Sequence, residues 1–135
     1  MKHYLLIICV FISSVTVSSQ TDTIAKPKKI KERPKTESVS IINLIATPEK
    51  YYGKRVSVGG YMITEFEGTA IYLSREDFDY RIYKNSIFLL IGKGNEYQHF
   101  HKEYVTLDGT FIQGTGHMGL FGGMLKDVEY IRERK

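Results

Sequence analysis

The sequence predicts an all-β domain with short helices: a five-stranded antiparallel barrel preceded by a short N-terminal helix. Three observations carry that expectation. From residue 54 onward, apolar runs of strand length are separated by breaks rich in Gly, Asn, Asp and Ser. Two of the runs, 54–64 and 104–112, alternate apolar with polar residues, which is the period of a strand with one face buried. The strand-helix alternation that marks a parallel sheet is missing from the pattern.

Taken in order, the elements begin with a helical preface. Ser40 is placed to cap a short helix carrying Ile41, Ile42, Leu44 and Ile45. Thr47, Pro48 and Glu49 restart a turn, with proline at the first helical position and an acid against the positive helix end. Gly53 suits the left-handed residue that closes it, and Tyr51 or Tyr52 is expected to pack onto the strands beyond. The first strand spans 54–64 and is interrupted by Gly59 and Gly60, a pair that predicts a bulge or sharp bend. Residues 65–69 make a hairpin connection into a second strand, Ala70-Ile71-Tyr72-Leu73. A polar stretch, 74–85, leaves room for one helical turn at Arg75-Glu76-Asp77-Phe78 before the apolar third strand, 87–91. After a break at 92–95, residues 96–103 read as a short helix. The fourth strand is 104–112, a glycine-rich loop covers 113–123, and 124–131 closes the domain as a fifth strand. Five strands, a bent first strand and a helical break between the third and fourth describe an OB-fold-like barrel.

The run Ile45-Ala46-Thr47-Pro48-Glu49-Lys50-Tyr51-Tyr52-Gly53-Lys54-Arg55-Val56-Ser57-Val58-Gly59-Gly60-Tyr61 sharpens this. So do Phe66-Glu67-Gly68, Ala70-Ile71-Tyr72-Leu73 and Gly116-His117-Met118-Gly119-Leu120-Phe121. Together they resemble an uncharacterised family of small exported bacterial OB-fold-like proteins, over about residues 39–131. The resemblance implies the fold and a bacterial origin. It carries over no catalytic residue.

The amino terminus predicts the compartment. Lys2 and His3 precede a nearly unbroken apolar stretch from Tyr4 to Val17, and Val17 and Ser19 are small residues at the positions a signal peptidase reads. Residues 1–19 are therefore expected to be a signal peptide cut between Ser19 and Gln20, and the protein periplasmic or secreted. Ser13, Ser14, Thr16, Ser18 and Ser19 end the apolar run short of the about 20 residues a membrane span needs. The only cysteine, Cys9, lies in the part to be removed, and Ile8 before it does not suit lipidation. A mature chain without thiols excludes disulfides, thiol nucleophiles and cysteine zinc sites.

Charge divides the remainder. Residues 20–38 carry Lys26, Lys28, Lys29, Lys31, Arg33 and Lys35 against Asp22, Glu32 and Glu37, with Pro27 and Pro34, and read as an extended basic linker. Residues 39–135, the predicted domain, hold 12 basic and 12 acidic residues, so the chain's net charge of +4 comes from outside the barrel. Of 10 Tyr and 7 Phe, all but Tyr4 and Phe11 lie between Tyr51 and Tyr130. Aromatic side chains can stack bases in an OB-fold, but such binding also needs a positive groove. Binding of single-stranded nucleic acid or an anionic polymer, with the basic linker as a clamp, is thus the alternative expectation.

The fold places the candidate site. In an OB-fold the loops after the first and fourth strands lie on the binding side. Here they are 65–69 and 113–123, and the latter has five glycines in eleven residues. The expected ligand-binding residues are Phe66, Tyr72, His117 and Phe121. A competing expectation tucks Met118, Leu120 and Phe121 back onto the barrel. His99, His101 and His117 are candidates for a metal-dependent activity, although their spacing lacks the short half-sites usual for zinc. Glu65 and Glu67 flank Phe66 and would point to opposite faces of a strand, which does not suit an acid-base pair. No serine has a nucleophile-elbow surround. The expected function is an exported, non-catalytic module that binds a protein or cell-envelope component, without cofactor or metal.

Overall fold

The computed structural model describes residues 34–92 and 95–135. The expected signal peptide, its Ser19 and Gln20 cleavage point, and most of the basic segment lie outside the described residues. Along the described residues run six strands and two short helices: β1 (Glu37–Ser38), α1 (Ile41–Ala46), β2 (Arg55–Ile63), β3 (Ala70–Tyr72), α2 (Arg75–Asp79), β4 (Ser86–Leu89), β5 (Glu103–Ile112) and β6 (Gly123–Glu133). Short 3₁₀ segments stand at Pro48–Lys50, Tyr83–Asn85, Asn95–Phe100 and His117–Gly119.

Strands β2 to β6 close a barrel in the order β2-β3-β4-β6-β5, and β5 returns to β2. All these pairings are antiparallel except β4 with β6. This is the all-β, OB-like barrel that the order of elements predicts. β1 adds a parallel pair beside β2, Glu37 opposite Val56 and Ser38 opposite Ser57, so the sheet takes up the last two residues of the segment read as linker. The third strand is shorter than its apolar run: Leu90 and Ile91 continue past Leu89 as irregular chain, with Leu90 exposed.

Alternation along each strand divides the apolar residues between two clusters. Val56, Val58, Met62, Ile71, Ile87, Leu89, Val105, Leu107, Phe111, Leu125 and Val128 fill the barrel, and Ile41 and Leu44 of α1 add to them. The Ser40 hydroxyl accepts from the Asn43 N–H, as expected of its cap. Tyr52 stacks on Phe111 with ring centres 5.7 Å apart, while Tyr51 packs beside the same core. Tyr61, Ile63, Ala70 and Tyr72 form a second cluster with Phe78, Tyr83, Phe88 and Phe121.

Gly60 has a different role from the expected bulge. β2 pairs with β5 without a register shift from Arg55 to Met62, and the irregularities fall between β5 and β6 instead. A Cβ on Gly60 would lie 2.4 Å from the Tyr72 carbonyl oxygen and 2.9 Å from Ile41 Cδ1. Here the glycine lets β3 and α1 approach β2 together.

Candidate functional site

The second cluster lies on the outer face of β2, β3 and β4, which is the face OB-folds use for oligonucleotides and oligosaccharides. In this chain the face is covered from within. Tyr72 meets Phe78 of α2 edge-on at 5.4 Å and Tyr83 at 6.4 Å. Phe121 reaches in from the loop 113–122 to Tyr83 at 5.8 Å and Phe88 at 5.1 Å. Both predicted site residues are thereby core, Tyr72 at 2 % exposure and Phe121 at 3 %. Burial chiefly, with smaller contributions from Tyr83 and Glu65, pushes the Tyr72 phenol well above its ordinary value.

Polar contacts fix the covering segments. In the connection between β3 and β4, Asp77 receives hydrogen bonds from Ser74 Oγ at 2.8 Å and Asn85 Nδ2 at 2.7 Å. The Lys84 ammonium donates to the Gly119 carbonyl at 2.9 Å, and the Gly122 N–H donates to the Ser86 carbonyl at 2.9 Å. Gly116, at φ +67°, passes so close to Phe88 that a Cβ there would lie 2.6 Å from the Phe88 Cβ. So Phe121 tucks back onto the barrel, whereas Met118, at 80 %, and Leu120 stay exposed.

Beside that sealed face an opening remains at the end of the barrel. A cavity of about 410 Å³ lies between the loop 64–69, the end of β4 with Ile91 and Gly92, and the turn Asn95–Phe100. Phe88, Leu89 and Ile91 supply apolar surface, Tyr97 and Gln98 come from the turn, and Glu65, Phe66 and Glu67 come from the loop. Burial chiefly, with Glu96 beside it, raises the Tyr97 phenol above its ordinary value. Phe66, the third predicted residue, is 85 % exposed. The ring stands open beside the apolar wall of the cavity.

One histidine ties the root of this loop, and a second comes near its tip. The Thr64 N–H donates to His101 Nδ1 at 3.2 Å, with the Thr64 hydroxyl 3.1 Å from the same nitrogen. His117, the fourth predicted residue, places Nε2 3.8 Å from Glu67 Oε2, where the loop 113–122 comes near the loop 64–69. His99 lies against the Phe100 ring with centroids 3.9 Å apart. Among the described residues no group of three His, Cys, Asp or Glu side chains is gathered as a metal would need.

The two loops approach each other at Glu67 and His117. Of the four expected site residues, however, only Phe66 lines the cavity; His117 stands exposed outside it, and Tyr72 and Phe121 are packed in the second cluster. The sequence reading missed Phe88, Leu89, Ile91, Tyr97 and Gln98 as cavity walls. Its available signal was the apolar run at 87–91, which outlasts a strand of four residues and spills Ile91 into the opening. The chain matches no protein-family model, no curated protein and no solved structure.

Proposed function

We propose that this protein is an exported, non-catalytic binding module that takes a protein or other cell-envelope component in the cleft under Phe66. The exposed Phe66 ring over an apolar cavity carries the reading. Export rests on the leader-like residues 1–19 and on the resemblance to small exported bacterial proteins. The non-catalytic part rests on the cleft's chemistry: among its described lining residues the titratable groups are Glu65 and Glu67, exposed on either side of Phe66, and Tyr97, whose raised phenol is a poor base at neutral pH.

Oligonucleotide binding has less support. The sheet face that would stack bases is occupied by the chain's own Phe78, Tyr83 and Phe121, and residues 39–135 balance their charges.

The test is a photoreactive phenylalanine analogue placed at position 66 of the whole chain in its native envelope, compared with the same group at the exposed Tyr80. One dominant cross-linked product from position 66, missing from position 80, is the expected result. Identical product patterns from both positions would contradict a site at the cleft.

A further inference from the structure

The charge at the mouth of the cleft narrows what enters it, an inference that rests on the cleft being the binding site. We propose that it takes an extended peptide segment presenting an arginine or lysine. Glu65 and Glu67 stand on either side of Phe66, both exposed and both lining the cavity; no described lining residue is basic, and His117, outside the lining, comes within 3.8 Å of Glu67. Behind them the surface is apolar, formed by Phe88, Leu89 and Ile91. An acidic mouth over an apolar floor is complementary to a side chain with an apolar stem and a cationic head. Lysine and arginine have that form, laying their methylenes on apolar surface while the charge stays near water.

The Phe66 face adds a cation–π partner at the mouth, and a guanidinium can fork onto a carboxylate. The cavity's size points to a connected segment. About 410 Å³ exceeds one long side chain, so the cleft has room for an apolar neighbour as well. In an extended segment that neighbour stands two residues away, on the same side as the cation.

The experiment uses the whole chain and a labelled peptide, Leu-Ser-Arg-Ser-Leu, beside its neutral analogue Leu-Ser-Gln-Ser-Leu. At low salt the arginine peptide should bind about tenfold more tightly, the combined scale of two exposed ion pairs and one cation–π contact. The double variant Glu65→Gln, Glu67→Gln should cut that preference to about threefold, the part a cation–π contact alone supplies, without moving the unfolding midpoint, since both side chains are exposed. Raising the salt concentration should narrow it in the unaltered protein.

Equal binding of the two peptides, or a tenfold preference that survives the double variant undiminished, overturns the inference. Arginine amide binding as tightly as the peptide also overturns it, because the segment would then contribute nothing. If cross-linking from position 66 still gives one dominant product while the arginine preference is missing, the charge argument alone fails. If that product is missing too, the reading of the cleft fails with it.

Discussion

Loop 64–69 and loop 113–122 each bring one phenylalanine to the same end of the barrel, and the structure uses the two rings in opposite ways. Phe121 is buried at 3 % between Tyr83 and Phe88, while Phe66 stands 85 % exposed above a cavity. Composition does not explain the difference, because the glycine-rich loop is the one held down. Its attachments do: Lys84 on the Gly119 carbonyl, Ser86 on the Gly122 N–H, and the close passage of Gly116 over Phe88. Loop 64–69 is fixed at its root by His101 and Thr64 and turns at Glu67, φ 61°, leaving the ring between them without cover. A loop can thus be anchored with its ring packed or with its ring left open, and this domain has one of each.

The sharpest way to break this comparison is to truncate both rings. Phe121→Ala should cost about 3–5 kcal/mol, the usual range for a buried phenylalanine, read as a lower midpoint in denaturant unfolding. An effect under about 1 kcal/mol would mean that loop 113–122 is not part of the core. Gly116→Ala comes next, at about 1–3 kcal/mol, because the new Cβ meets both the left-handed backbone and the Phe88 side chain.

A smaller effect is expected in alkali. The Tyr72 phenol is raised in the folded state, so the unfolded chain releases its proton first. Stability is therefore full below about pH 10, the ordinary tyrosine value, and declines as pH rises beyond it. Denaturant unfolding across that range should show a shallower decline in Tyr72→Phe. The smallest change in stability belongs to Phe66→Ala, within about 0.5 kcal/mol as for other exposed positions, together with weaker binding of the labelled arginine peptide.

Much of the barrel was legible because its signals are local. Alternation at 54–64 and 104–112, the Ser40 cap and the glycine-marked loops each depend on a few adjacent residues. The assignment of aromatics was not legible. Tyr72 lies in a strand with buried residues on both faces, and which segment covers its outer face depends on Phe78, Tyr83 and Phe121, up to about fifty residues away in sequence. Gly60 illustrates the same limit. Its sequence context reads as a bulge, yet its function comes from Tyr72 and Ile41 on two other elements. The cleft was hidden for a related reason, since Ile91 and Tyr97 become its walls only where β4 stops short of its apolar run.

Binding in the cleft is the central claim, and Gly92 gives direct access to it. Gly92 lines the cavity, and a Cβ added there meets nothing within 4 Å. Gly92→Trp should therefore put a large ring at the edge of the opening without straining the fold. The measurement is the yield of the dominant cross-link from position 66, taken with and without this substitution alongside the unfolding midpoint. An unchanged midpoint with the cross-link abolished is the predicted result. A folded Gly92→Trp protein that still gives the same product in the same yield would contradict binding in the cleft.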